Sequence, residues 1–138
     1  MIEDQFTLKP IGVIRSNLTD LADAPRQGDE GGYEARLELA SEFAAGLHGM
    51  QVGDELILLT WLHLADRDEL QTRPRNNPDA SLTGVFATRS PSRPNPIGLH
   101  QVTVVAIEGS TIRVAPLEAI DGTPLIDIKP VLLNIQQR

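Results

Sequence analysis

The sequence predicts a mainly β chain closed into a small barrel, with one or two short helices. Three observations carry that prediction. Apolar residues recur in short runs punctuated by Gly, Pro, Asn and Asp, with 11 glycines and 10 prolines in 138 residues, which favours strands of roughly 5 to 8 residues over long helices. In segment 33–39, Tyr33, Ala35, Leu37 and Leu39 alternate with Glu34, Arg36 and Glu38, the pattern of a strand with one buried and one wet face. Glu108-Gly109-Ser110 joins the runs 102–107 and 111–114 as a hairpin turn, its glycine free to take positive φ. Closure is how an all-β chain of this length removes exposed edges, so a barrel is expected over an open sheet.

In chain order, the expected strands are 10–15, 33–39, 55–64, 83–87, 98–107, 111–116 and 125–128. Ser41 is set to cap a helix over 42–47 and Gly49 to end it, a segment of barely two turns that needs packing to persist. Segments 17–32 and 73–81 are too rich in special residues for simple connectors, and such loops tend to carry sites. At 15.0 kDa the chain is expected to form a single domain over 1–138.

Composition removes several function classes. No run approaches the ~20 apolar residues that span a bilayer, and Met1 to Pro10 lacks a signal-peptide pattern, so no membrane role and a cytoplasmic location are expected. The absence of cysteine excludes disulfide scaffolds, thiolate zinc sites, iron–sulfur clusters and thiol nucleophiles. His48, His63 and His100 lack metal-ligand spacing, and no metal is expected. There is no Gly-rich dinucleotide motif after a strand, no phosphate-binding P-loop and no nucleophile elbow. A net charge of -7 argues against broad electrostatic binding of nucleic acid. The charge is uneven: residues 1–66 carry four basic and twelve acidic groups, whereas residues 67–100 carry five and three.

Three segments could carry chemistry. In 84–99, GVFATRSPSRPNPIGL, the prolines Pro91, Pro94 and Pro96 stiffen the backbone that bears Arg89, Ser90, Arg93 and Asn95. Guanidinium, hydroxyl and amide groups held this way suit a carboxylate, phosphate or nucleoside, while the same residues also describe a rigid barrel corner with solvated arginines. Pro25-Arg26-Gln27 sits in a glycine-rich loop, where Gln27 could meet a base or amide edge and Arg26 an anion. Asp121-Gly122-Thr123-Pro124 reads as a turn whose aspartate either accepts from ligand hydroxyls or caps its own backbone. His63, two residues after Trp61 at the end of an apolar run, fits a pocket wall or a core histidine equally.

The strings IGVIRS (Ile11 to Ser16), PRQ (Pro25 to Gln27), WLH (Trp61 to His63), GVFATRSPSRPNPIGL (Gly84 to Leu99) and DGTPLIDIKP (Asp121 to Pro130) occur in the order found in the TsaA-like family, also called TrmO or YaeB. The resemblance covers nearly the whole chain. It implies a β-barrel methyltransferase that uses S-adenosylmethionine, works as a homodimer, and methylates the exocyclic nitrogen of threonylcarbamoyladenosine beside the anticodon of certain transfer RNAs. Carried over by position, the implied cofactor contacts are Pro25, Arg26, Gln27, His63, Leu64, Arg89, Leu99, Ala119, Ile120, Asp121 and Gly122, with Thr123 nearby. Arg93 and Asn95 either face substrate or brace the loop or a dimer interface. No general base is assigned; Asp121, His63 and Tyr33 are candidates by chemistry alone. Longer members of the family continue beyond the DIKP string. The acidic first half keeps two other readings open, a methyltransferase for a small-molecule acceptor and a non-catalytic sensor of S-adenosylmethionine.

Overall fold

Alternate side chains along each strand turn inward to one apolar interior, and that alternation sets the architecture. The computed structural model describes residues 4–18, 33–74 and 77–132. Its strands are β1 (Gly12–Arg15), β2 (Ala35–Leu39), β3 (Glu55–Trp61), β4 (Gln71–Thr72), β5 (Thr83–Gly84), β6 (Ile97–Glu108), β7 (Thr111–Ala115) and β8 (Thr123–Pro130). Six of them close into a barrel in the order β1-β2-β7-β6-β3-β8, every neighbouring pair antiparallel, while β4 and β5 form a separate two-stranded ribbon. The expected fold class is the observed one.

Ile14, Leu37, Leu58, Ile112 and Leu125, each from a different strand, are fully buried in the interior. Each contributes on the order of 1.5–3 kcal/mol by leaving water. β6 pairs with β3 over Ile97–Thr103 and with β7 from Thr103 onward, so one long strand serves two neighbours. Register shifts after Leu59 on β3 and after Val104 on β6 supply the extra twist that closure requires. Gly109 takes φ 65° in the β6–β7 turn, as the sequence predicts. Gly98 is required for a different reason. A methyl group there would press on Thr60 Oγ1, His100 Nε2 and Leu62 Cδ2, so the close approach of β3 and β6 depends on its missing side chain.

Three expectations are corrected. Ser41–Leu47 is a 3-10 helix entered from Ala40, with no side-chain cap hydrogen bond. Ala40 N–H already donates to Ile11 O, which fixes Ala40 as the cap and makes Ser41 the first helical residue. The expected strand 83–87 pairs only at Thr83–Gly84 and then curls into a 3-10 turn, Val85–Ala87, because Thr88 N–H and the Arg93 side chain both converge on Val85 O. Strand β4, its partner, was not expected. β3 stops at Trp61 rather than at residue 64, since Leu62 N–H leaves the sheet for Pro96 O. Among the described residues no helix is long and apolar enough to cross a membrane.

Candidate functional site

Antiparallel closure sorts the connections onto two rims. β1, β3 and β7 end at one rim, where β2, β6 and β8 begin, so the three connections 16–34, 62–96 and 116–122 share it. The opposite rim carries 40–54 and the short β6–β7 turn. The sequence-predicted residues that the structure describes fall on or next to the first rim. His63, Leu64 and Arg89 lie on 62–96, and Ala119, Ile120, Asp121 and Gly122 on 116–122. Leu99 is the third residue of β6 and Thr123 the first of β8. Pro25, Arg26 and Gln27 belong to the connection 16–34 and lie outside the described residues.

The 116–122 connection is built onto the ends of β1 and β2. Ser16 N–H donates to Asp121 Oδ1 (3.0 Å) and Ser16 Oγ to Ala119 O (2.5 Å). Asp121 N–H donates to Leu18 O, Gly122 N–H to Ile14 O and Leu117 N–H to Tyr33 O. Leu18 and Tyr33, the described residues on either side of the Pro-Arg-Gln string in the sequence, thus both bond to the stretch that presents Asp121. The Asp121 carboxylate does not cap its own turn; it reaches across to β1, with Arg15 Nη1 3.7 Å from Oδ2. Ala119 packs in the core and Thr123 is buried with its Oγ1 donating to Ile120 O, so neither offers its side chain to a ligand at the rim.

The 62–96 connection is held by arginines because its prolines remove backbone donors. A proline-rich loop has more carbonyl oxygens than N–H groups, and the surplus needs donors from elsewhere. Arg93 supplies them with one planar fork: Nη2 to Val85 O (2.5 Å) and Thr88 O (2.6 Å), Nε to Ser90 O (2.9 Å). Arg67 does the same on the other side, Nε to Pro94 O (2.7 Å) and Nη2 to Asn95 Oδ1 (3.1 Å), with its guanidinium over the Trp61 ring. Arg93 and Asn95 thus brace the loop. Arg67, Arg15 and Ser16 escaped sequence reasoning, since their partners are set by barrel closure and no local pattern marks them.

What the loop leaves free is Arg89. Among the described residues neither its guanidinium nor the His63 imidazole has a hydrogen-bond or ion-pair partner, and both are exposed. Leu64 and Leu99 present apolar side chains to solvent at 56% and 50% exposure. The rim collects these groups without merging them into one described cavity. Arg89 lines a hollow of about 430 Å³ with Thr72 and Arg73, whereas Asp121 lines another of about 490 Å³ with Arg15, Arg36 and Arg113. Below the rim, Thr60 Oγ1 and His100 Nε2 share a hydrogen bond of 3.0 Å inside the barrel, and burial holds the His100 imidazole below its ordinary pKa of 6.5. Among the described residues no group of three His, Asp or Glu side chains could hold a cation.

Comparison with known proteins agrees with this architecture. The family model for the tRNA-methyltransferase O N-terminal domain matches residues 13–137. A protein of Methanothermobacter thermautotrophicus described as a probable S-adenosyl-L-methionine-binding protein is 38% identical over 135 residues, covering 98% of this chain and 96% of its own length. An Archaeoglobus fulgidus protein described as an S-adenosyl-L-methionine-binding protein is 43% identical over 122 residues, covering 88% and 86%. The crystal structure of TrmO from Pseudomonas aeruginosa superposes with a TM-score of 0.75 at 30% identity; the match covers 93% of this chain and 56% of that one, so the chain spans little more than half of the solved enzyme. The chain belongs to the family of tRNA-methyltransferase O N-terminal domains.

Proposed function

We propose that this protein is an S-adenosylmethionine-dependent methyltransferase whose acceptor is the exocyclic nitrogen of threonylcarbamoyladenosine next to a transfer RNA anticodon. The observation that carries the reading is the common rim: separate strings of the sequence resemble the cofactor contacts of the family, and all the connections bearing them leave the barrel on the same side. The family match and the relatives described as S-adenosyl-L-methionine-binding proteins support the cofactor.

The chemistry of the free groups fits such a ligand. Arg89, without an acidic partner among the described residues, suits a carboxylate. Leu64 and Leu99 suit the flat apolar body of an adenine, and Ala119, Ile120, Asp121, Gly122 and Thr123 stand in the proposed contact set on the family resemblance, beside it on the same rim. Asp121, already accepting from Ser16 N–H, is suited to receive a ribose hydroxyl. Pro25, Arg26, Gln27 and His63 complete the proposed contact set. When bound, the cofactor supplies a methyl group on a sulfonium leaving group. The part of this chain in the reaction is alignment: stiff loops hold the reacting partners in line, and effective molarity gained this way accounts for a large share of a displacement barrier. The acidity of the acceptor nitrogen in a carbamoylated adenine makes a strong base less necessary, and Asp121, His63 and Tyr33 remain candidates by chemistry for taking its proton. The protein acts in the cytoplasm as a homodimer of single-domain subunits in this reading.

The test uses the purified chain, labelled S-adenosylmethionine and total RNA from a strain lacking the gene, with the labelled nucleoside identified by mass spectrometry. Label in methylated threonylcarbamoyladenosine is expected. Binding of the cofactor with no transfer to RNA or to a metabolite extract would instead favour a sensor, and transfer only to a metabolite would move the acceptor assignment.

A further inference from the structure

Most arginines of the described chain are engaged. Arg15, Arg36 and Arg113 face Glu38, Asp121 or Glu34, Arg67 covers Trp61 and binds the proline loop, and Arg93 is enclosed by carbonyls. Arg73 and Arg89 differ. Neither has an acidic partner among the described residues; Arg73 gives one bond, Nη1 to Ala80 O (2.8 Å), and keeps its other donors. Both line the hollow of about 430 Å³ between the end of β4 and the proline loop, with Thr72, Thr88 and Ser90 adding hydroxyl groups and no described carboxylate on its wall. In a chain of net charge -7 an acid-free, doubly cationic groove stands apart.

An exposed aromatic residue comes next in the chain to its wall, since Phe86 precedes the lining residue Ala87. Phe86 is 82% exposed, more than any other large hydrophobic residue described. It is not loose: Val85 before it is fully buried, Val85 N–H donates to Leu70 O, and Arg93 and Thr88 grip Val85 O. The 3-10 turn Val85–Ala87 therefore holds the ring outward, one residue before Ala87, which lines the groove. Guanidinium groups that track phosphates next to a fixed aromatic face form the physical basis of single-strand nucleic-acid recognition, because every unpaired base has a face to stack.

We propose that this groove binds the unpaired strand of the acceptor RNA, with Arg73 on a backbone phosphate, Arg89 left to the cofactor carboxylate at the other end of the groove, and Phe86 as the stacking face for a neighbouring base. The inference rests on the RNA-acceptor reading above and gives it a surface. It also explains how an acidic chain can take a polyanion: the contact is short, local and reads strand character rather than overall charge.

The test is fluorescence anisotropy of the full chain with a labelled RNA hairpin carrying an unpaired loop, and with the same stem as a blunt duplex, over a salt series. The wild type binds the hairpin more tightly than the duplex. Phe86→Ala weakens hairpin binding about tenfold, and Phe86→Trp restores it. Arg73→Gln weakens binding and reduces the slope of log K against log salt by ~0.7, while Arg73→Lys keeps the slope. Cofactor affinity by calorimetry stays unchanged in all four variants, which separates loss of RNA contact from misfolding. If the wild type binds and methylates RNA while Phe86→Ala and Arg73→Gln bind the hairpin as well as it does, the groove is overturned and the acceptor reading survives. A change of oligomeric state in Phe86→Ala with RNA binding intact overturns it likewise and assigns the ring to an interface between copies. If the wild type neither binds nor methylates RNA, the acceptor reading itself falls and the groove with it.

Discussion

Replacing Gly98 by alanine tests how β3 and β6, which lead to and from the proline loop, are held together. The added methyl would lie 2.9 Å from His100 Nε2 and 3.0 Å from Leu62 Cδ2, and closer still to Thr60 Oγ1, its cross-strand neighbour. Overpacking of this kind costs about 1–3 kcal/mol. Relief requires the Thr60 hydroxyl to move, which breaks its bond to His100; because Thr60 is fully buried, the loss adds roughly 1–3 kcal/mol. The smaller entropy of the unfolded alanine chain returns only ~0.4–1 kcal/mol, so a net destabilisation of about 2–4 kcal/mol is expected. Urea titration followed by the fluorescence of Trp61, the single tryptophan, reads it directly, since Trp61 is the next residue of β3 and pairs with Ile97. The diagnostic quantity is the coupling. Thr60→Ala removes the atom in conflict, so Gly98→Ala/Thr60→Ala should cost less than the sum of the single changes by ~1 kcal/mol or more. Additive costs, or a harmless Gly98→Ala, would show that the close packing at Gly98 is not what joins these strands.

Arg93→Met removes three charge-assisted bonds, to Val85 O, Thr88 O and Ser90 O; amide exchange at Thr88 and Arg93 should accelerate at least tenfold, about 1.4 kcal/mol of local opening, and unchanged protection would refute the brace. Arg89→Ala should lower S-adenosylmethionine affinity about tenfold or more in calorimetry while leaving the urea midpoint in place, because Arg89 has no partner among the described residues to lose; equal affinity would remove it from the contact set. His100, held below its ordinary pKa of 6.5 by burial, binds its proton less readily folded than unfolded, so stability is free of this penalty above pH ~6.5 and falls as pH drops toward and through the folded value. His100→Gln should flatten the wild-type loss of stability between pH 7.5 and 5, roughly, and parallel pH curves for the two proteins would contradict the assignment.

The barrel was legible because its strands obey a local rule. Ala35, Leu37 and Leu39 face inward and Arg36 and Glu38 outward by position alone, and no distant residue can reverse that alternation without emptying the core. Strand ends were less legible, for they answer to partners far along the chain: Leu62 N–H leaves β3 for Pro96 O, 34 positions away. The same non-locality explains the misread segment 83–87. Thr83, Val85 and Phe86 have strand propensity, yet Val85 O is drawn toward Arg93, and the curl that results is what turns Phe86 outward. A tertiary contact that defeats local propensity thereby creates a surface feature that propensity could never announce.

The candidate site divides along the same line. Proline density at 91–96 marks a stiff loop short of backbone donors, but whether Arg93 faces a substrate or braces the loop is decided only by its bonds to Val85 O, Thr88 O and Ser90 O. Arg67 has no such signal, because only the pairing of Trp61 with Ile97 brings its platform beside Pro94 and Asn95. Asp121 shows the converse: its turn was readable, but its carboxylate serves Ser16 rather than its own backbone, since β8 and β1 pair at Thr123 and Ile14. Closure therefore does two jobs with one set of hydrogen bonds. It buries the core, and by alternating strand direction around an even ring it delivers three remote connections to one rim, the rim to which the proposed cofactor contacts are assigned.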